Sequence, residues 1–256
     1  MKILAIGDVV GSCGIEHLSK QLWNLRNALS VDLCVVNGEN ATDISGLSKA
    51  DALRILDSGA DLITLGNHAY GRRDLYDFLD EGVGIIRPAN FPAAGVGTGS
   101  TILTVRGYRV LCINLIGTVN MQSEASPFLT ADAILSRESG HYDLALVDFH
   151  AEATSEKISL GRYLDGRVSV VFGTHTHVPT ADEQIFPKGT AYITDIGMTG
   201  PKDSVLGVDC DIILRRFLTH MPEHFKVAGG PVEGHGALFD IDESTGKVRE
   251  VRRIAF

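Results

Sequence analysis

VSVVFGTHTH, residues 168–177, is the stretch that decides the fold. Residues 168–172 form a short β-branched run, too brief for a helix and too apolar for an exposed strand. It is read as a strand covered on both faces. It stops at Gly173 and is followed by His175-Thr176-His177. In a regular strand those two imidazoles would point to opposite faces; in a loop both can turn inward. Working outward, four further runs have the same form: 3–6 (ILAI), 33–36 (LCVV), 62–65 (LITL) and 144–147 (LALV). Each is also followed by polar residues: Gly7-Asp8, Asn37-Gly38-Glu39-Asn40, Gly66-Asn67-His68 and Asp148-Phe149-His150.

Helical patterns lie between the runs, at 15–29, 49–58, 73–79, 131–136 and 155–164. Ser48 with Asp51 has capping-box spacing. Strand–helix–strand alternation implies parallel pairing with right-handed crossovers. Three hairpins interrupt it: 101–105 with 110–115, 183–186 with 191–194 across Pro187-Lys188-Gly189, and 238–241 with 248–254. Antiparallel strands therefore accompany parallel ones. The expected architecture is an α/β sandwich of two mixed β-sheets with helices outside, formed by residues 1–256 as one unit. The segment 87–99, rich in Pro, Gly and Ala, is read as a long loop.

Composition narrows the function. Of 256 residues, 44% are hydrophobic and 21% charged, which excludes disorder, collagen and coiled coil. The formal net charge is −9, so neither duplex nucleic acid nor an anionic membrane surface is an expected partner. A small phosphorylated substrate stays open, because a few cations or metals neutralise one locally. No run reaches the ~18 apolar residues of a membrane helix. The apolar start, Met1–Ile6, is too short for a signal peptide, so a cytoplasmic protein is expected. The four cysteines are scattered; Cys34 and Cys112 sit in apolar runs and are read as core thiols rather than zinc ligands.

Parallel strands place their carboxyl ends along one edge, where ligands bind. Residues spanning some 170 positions should therefore converge: Asp8, Glu39, Asn40, Asn67, His68, His150, His175 and His177. Taken singly, each has an ordinary reading. Asp8 is a turn or cap residue, Glu39-Asn40 an exposed loop, Asn67-His68 a left-handed turn, and His150 a core histidine. Jointly they specify a metal centre of oxygen and imidazole ligands, a set suited to Mn, Fe, Zn or Co. One zinc takes three or four protein groups, and this set suffices for two metals sharing a carboxylate. His17, His141, His220, His224 and His235 lack such neighbours and are read as surface or structural. Asp182 and Asp195, near the last histidines, are left open. Gly95-Val96-Gly97-Thr98-Gly99 is a weak match to a dinucleotide loop, with no parallel strand–helix unit framing it.

Gly7-Asp8, Gly66-Asn67-His68, the solitary His150 and the GTHTH of 173–177 resemble the motifs of calcineurin-like metallophosphoesterases. Longer stretches are similar to the bacterial YmdB-like family of 2′,3′-cyclic-nucleotide 2′-phosphodiesterases: IGDVVG (6–11), NGENA (37–41), RPANFP (87–92), DFHAEATSEK (148–157), LDGRV (164–168), GTHTHVPTAD (173–182) and GTAYITDIGMTGP (189–201). Two features depart from the wider superfamily and are shared by the YmdB-like family. The usual Asp-x-His is Asp8-Val9-Val10, and Glu39 stands where an aspartate is usual. The resemblance implies a four-layer α/β/β/α sandwich holding two divalent or trivalent transition metal ions, iron foremost, with manganese or zinc as alternatives. It implies Asp8, Glu39 and His177 on one metal, Glu39, Asn67, His150 and His175 on the other, and Glu39 as the bridge. A metal-bridging hydroxide would attack phosphorus, His68 would protonate the leaving oxygen, and Asn40 would donate to a phosphate oxygen. The implied partner is a small nucleotide; a homo-oligomer is compatible with the sequence. A phosphomonoesterase or broad metallohydrolase, and a low-turnover nucleotide-sensing regulator, are the alternative readings.

Overall fold

The computed structural model describes residues 1–123 and 125–256. In chain order the elements are β1 (Lys2–Ile6), β2 (Asp8–Val9), α1 (Gly11–Leu29), β3 (Leu33–Asn37), α2 (Lys49–Asp57), β4 (Leu62–Thr64), a 3₁₀ turn (Arg73–Leu75) leading into α3 (Tyr76–Glu81), and β5 (Ile85–Ile86). Then come β6 (Ser100–Val105), β7 (Tyr108–Ile116), α4 (Pro127–Arg137), β8 (Leu144–His150), α5 (Thr154–Tyr163) and β9 (Val170–Thr174). The chain closes with β10 (Gln184–Ile185), β11 (Ala191–Ile193), β12 (Met198–Pro201), α6 (Cys210–Thr219), β13 (Val232–Ile241) and β14 (Val248–Ala255). One sheet runs β2-β12-β13-β1-β3-β4-β5, with β14 also paired to β13; the other runs β10-β11-β9-β8-β7-β6. β1, β3, β4 and β5 are mutually parallel, as are β7, β8, β9 and β11. The three expected hairpins are the antiparallel pairs β6–β7, β10–β11 and β13–β14.

Period-two alternation builds the layers. Along β1, Ile3 and Ala5 enter the core between the sheets, while Leu4 and Ile6 face α1 and α2. Along β3, Leu33 and Val35 point inward and Cys34 and Val36 outward. Along β8, Leu144 and Leu146 point inward, and Ala145, Val147 and Phe149 pack with α4 and α5 residues. Three apolar layers thus separate helices, sheet, sheet and helices, which is the four-layer sandwich. Each fully buried Leu or Ile contributes roughly 1.5–3 kcal/mol to that arrangement.

The same alternation explains the polar residues that follow. Asn37, Thr64, Asp148, His150 and Thr174 continue the inward positions of β3, β4, β8 and β9. All five are buried, and they close the inter-sheet layer with polar groups at one end.

Several boundaries differ from the sequence expectation, among them α4, which starts at Pro127 rather than 131, and β13, which starts at Val232 rather than 238. α1 begins at Gly11 rather than at residue 15, because the glycines before Ile15 let the helix lie on β12. A Cβ at Gly14 would sit 2.5 Å from the Thr199 carbonyl oxygen. β8 continues through Asp148 to His150, so His150 ends a strand instead of following one. β9 starts at Val170, two residues late. α6, with β2, β5 and β12, lies outside the sequence-predicted elements. The loop expected at 87–99 carries no strand or helix. Cys34 and Cys112 are buried free thiols; burial lifts both, Cys34 to about 12.

Candidate metal centre

Five parallel strands from two sheets deliver the sequence-predicted residues to a single edge. Asp8 follows β1, Glu39 and Asn40 follow β3, Asn67 and His68 follow β4, His150 ends β8, and His175 and His177 follow β9. Nε2 of His150 is the focus. It lies 3.0 Å from Oε1 of Glu39, 3.0 Å from Oδ1 of Asn67 and 3.0 Å from Nδ1 of His175. Ligands held about 2.0–2.2 Å from one ion stand about 3 Å from their neighbours, so these spacings fit a shared cation. Glu39, His150 and His175 also form the cluster of potential ligand atoms found among the described residues, all within 4.8 Å of one another. The approach is close enough to require glycine at 66, where a Cβ would lie 2.3 Å from His150 Nε2 and 2.5 Å from Glu39 Oε2.

Asp8, Asn40 and His177 stand beside that focus. Asp8 Oδ1 is 3.7 Å from His177 Nε2 and 3.9 Å from His150 Nδ1. The Asn40 carboxamide nitrogen is 3.2 Å from His177 Nε2 and 3.3 Å from Glu39 Oε1. Asp8 Oδ1 is buried without a hydrogen-bond partner, a costly state for a carboxylate oxygen that a cation would relieve.

Outer partners turn each histidine so that a lone pair faces inward. Thr174 Oγ1 donates to Asp148 Oδ1 at 2.8 Å and therefore accepts from His150 Nδ1 at 2.9 Å, leaving Nε2 for the cluster. His175 Nε2 faces Glu152 Oε2 at 3.1 Å, leaving Nδ1 inward. His177 Nδ1 donates to the Leu206 carbonyl at 3.1 Å, leaving Nε2 inward. Fixing the tautomer from outside is how metal-binding imidazoles are prepared. The donor set fits a transition metal.

Electrostatics agree. Burial alone would lower His150, but the carboxylates of Glu39, Asp8 and Asp148 outweigh it and lift it to about 9. Burial raises Glu39, yet the charge and hydrogen bond of His150, with His68, hold it at about 2. Burial, then the neighbouring charge of His150, lowers His175 to about 3. Asp8 is raised, chiefly by burial. Carboxylates and imidazoles packed this tightly share protons where a metal would replace them.

The loop carrying His175 and His177 is held from behind. Both residues take left-handed backbone conformations, φ 97° and 64°, which cost about 1–3 kcal/mol each in a residue with a Cβ. Between them, Thr176 donates its N–H and its hydroxyl to Asp195 Oδ2, at 3.1 and 2.8 Å. The same oxygen accepts from the buried Lys157 ammonium at 2.8 Å. Asp195, left open by the sequence, is thereby a positioning residue. Asp182 instead accepts from Thr180 and Thr194 and ties the following turn. His68 lines the cavity over the cluster; its N–H donates to Glu39 Oε2 at 3.0 Å, and its ring has no protein partner among the described residues.

Three features escaped the sequence reading. Asp148 and Thr174 orient His150 from inside the sheet layer. Glu152 orients His175; it sits two residues past His150 in a motif already noted, which is a usable signal. His224, expected to be structural or superficial, lines the same cavity.

Two facing mixed sheets with this cluster at their carboxyl edge define the calcineurin-like phosphoesterase fold. A family model described as YmdB-like protein matches residues 4–254, and the chain belongs to that family. It is 44% identical over 254 residues to the 2′,3′-cyclic-nucleotide 2′-phosphodiesterase of Bacillus subtilis, covering 99% of this chain and 96% of that one. The crystal structure of a hypothetical protein from Thermus thermophilus is similar with a TM-score of 0.95 at 38% identity, covering 100% of this chain and 99% of that one. That of a novel phosphatase from Mycoplasma pneumoniae is similar with a TM-score of 0.94 at 36% identity, covering 100% and 93%.

Proposed function

We propose that this protein is a metal-dependent phosphodiesterase that opens 2′,3′-cyclic nucleotides at the 2′ ester, leaving a 3′-phosphate. The observation that carries the reading is the convergence of Glu39, Asn67 and His175 at 3.0 Å from His150 Nε2, with His177 Nε2 and the buried, unpartnered Asp8 Oδ1 beside them. Similarity to the Bacillus subtilis phosphodiesterase supplies the substrate class. Asn67, His150 and His175 with Glu39 would hold one ion; Asp8 and His177 with Glu39 would hold the other. Asn40 stands between Glu39 and His177, so its carboxamide belongs beside the second ion as much as beside a phosphate oxygen. Two bound ions supply Lewis-acid charge and a water acidic enough to act as nucleophile near neutral pH.

The chain's own groups do the rest. Glu39, accepting the His68 N–H, couples the position of the His68 ring to the cluster. The ring of His68 on the cavity wall is placed to deliver a proton to the departing 2′ oxygen. A positive site floor reconciles an anionic substrate with a chain of net charge −9.

The test is turnover of adenosine 2′,3′-cyclic phosphate by metal-loaded protein, with the product resolved as 3′- or 2′-monophosphate. Exclusive 3′-monophosphate is expected. His68→Ala should cost about 10²–10⁴-fold on this substrate, the usual worth of general-acid help. The loss should shrink on a nitrophenyl phosphodiester, whose leaving oxygen needs no proton. Hydrolysis of monoesters but of no diester would overturn the reading.

A further inference from the structure

The cavity over the cluster is far larger than the chemistry requires. It encloses about 940 Å³, at the upper end of the ~300–1,000 Å³ of small-molecule sites. One side is the polar floor of Glu39, His68, His175 and His177. The other carries most of the apolar lining and comes chiefly from one excursion of the chain, residues 208–227, with Val205 and Leu206 at its root and Ile44 and Val178 along its borders. Val208 bridges both Val205 and Val227, and Ala228 N–H donates to the Gly207 carbonyl at 2.9 Å, so the excursion is pinched shut at its root. The root touches the cluster directly, since Leu206 supplies the carbonyl that orients His177.

The excursion carries α6, which Asp209 caps by accepting from the N–H groups of Asp211 and Ile212. Ile212 and Ile213 anchor the helix, and Phe217 and Phe225 line the cavity while remaining 74% and 42% exposed. An apolar patch on a cleft wall marks a ligand-binding surface. Arg216 lies 4.9 Å from the Phe225 ring centroid, which steadies that ring and sets a cation at the wall. Arg215 next to it is paired with Glu223 instead.

We propose that Phe217 and Phe225 form a nucleobase-binding wall, on which the base of the substrate stacks while its phosphate occupies the metal centre. This rests on the phosphodiesterase reading above. The occupant follows from continuity: floor and wall bound one cavity, so a nucleotide phosphate held at the floor brings its nucleoside into contact with the wall. Phenylalanine rings recognise the π-face of a base rather than its edge, so the wall accepts all four bases and favours the larger purines. Leu214 and Leu218 are also exposed on α6 but do not line the cavity, and they take no part in base binding.

Two comparisons test this on metal-loaded protein. The first is binding of adenosine 3′-monophosphate against ribose 3-phosphate by calorimetry. The base should strengthen binding roughly 5- to 150-fold, the range of one stacked base. Phe217→Ala and Phe225→Ala should erase most of that gain, Phe→Leu variants that keep bulk should erase part of it, and Leu218→Ala should keep it. Equal affinity for the two ligands in the unmodified protein, or a base gain that survives both alanine variants, overturns the wall. So does a Phe217→Ala effect confined to oligomeric state, which would make α6 a docking face. The second comparison is turnover of glycerol 1,2-cyclic phosphate, a base-free substrate. The alanine variants should raise KM for adenosine 2′,3′-cyclic phosphate several-fold more than KM for the base-free substrate, and equal rises for the two substrates overturn the wall. If the unmodified protein hydrolyses neither substrate but still binds adenosine 3′-monophosphate through Phe217 and Phe225, the wall stands and the phosphodiesterase reading falls.

Discussion

The β8–β9 edge and the 208–227 excursion face each other across one cavity and are built in opposite ways. At the edge, His150, Asp148 and Thr174 are fully buried and hydrogen-bonded in series, and the following loop is clamped by the buried Lys157–Asp195 pair. The excursion is pinned at its root and by two buried isoleucines, with most of α6 in solvent. Chemistry that needs ligands within a fraction of an ångström is placed on strands and locked from behind. Recognition of a planar group tolerates a softer wall. Substitutions on the two sides should therefore fail differently: edge variants through metal content and stability, wall variants through affinity.

The sharpest break in the comparison is Glu39→Gln. Glu39 sits 3.0 Å from His150 Nε2 and close to Asn40, so a neutral amide removes charge from both of the ion positions proposed above. Activity should fall by roughly 10³-fold or more, the several kcal/mol that metal charge contributes. Elemental analysis should show the metals lost, while circular dichroism shows the fold retained. Full metal content with full activity would remove Glu39 from the site.

Lys157→Met comes next. Both members of the Lys157–Asp195 pair are about 99% buried or more, so the substitution strands a carboxylate in the interior. Breaking such a pair costs about 3–5 kcal/mol. Thermal unfolding should show that loss, and metal affinity should fall with it, because Thr176 loses its fixed acceptor. The double variant Lys157→Met/Asp195→Asn should recover much of the stability but not the metal affinity. Recovery of both would mean the pair stabilises the fold without positioning the loop.

How far the sequence revealed this comparison follows from what each side depends on. The edge was legible because five apolar runs end in polar groups, a pattern that parallel pairing turns into proximity. Asp148 and Thr174 were not singled out, since their role follows from strand parity and becomes visible only once β8 and β9 are known to continue past their apolar residues. β2, β5 and β12 are two to four residues long, and tertiary pairing rather than local propensity makes them strands. α6 had a readable start in Asp209, Ile212 and Ile213, yet its apolar residues do not all mark a buried face, since Leu214, Phe217 and Leu218 are exposed. His224 follows that helix in a loop, where no periodicity indicates which way a residue turns.

A smaller effect tests the locking partners of the histidines. Glu152 is half exposed on the cavity wall and reaches the cluster through His175 Nε2, 3.1 Å away. Glu152→Ala should weaken metal affinity about 10–100-fold, typical of such outer partners. Activity at saturating metal should stay near normal, and Glu152→Gln, which keeps an acceptor oxygen, should restore most of the affinity. A loss of activity that excess metal fails to rescue would mean that Glu152 acts on the substrate rather than through His175.

The mildest consequence concerns the stripped protein, where protons stand in for metal. His150 is lifted to about 9 by Glu39, Asp8 and Asp148, above the ordinary 6.5 it has in the unfolded chain. A raised imidazole stabilises the fold fully below the unfolded value and loses that contribution as pH climbs through the folded one. Metal-free protein should therefore become less stable between about pH 6.5 and 9, with a melting point lower by ~2–4 °C for each kcal/mol lost. Metal uptake near pH 7.5 must expel the His150 proton, so calorimetric heats should scale with the ionisation enthalpy of the buffer. Metal-loaded protein should show a flat melting point over the same pH range, because a bound cation leaves His150 Nε2 no proton to lose. If stripped protein is equally flat, or if uptake releases no proton, the carboxylates do not hold His150 charged. The edge would then be organised by Thr174 and Asp148 hydrogen bonds alone, and its rigidity would owe nothing to the charge cluster at its tip.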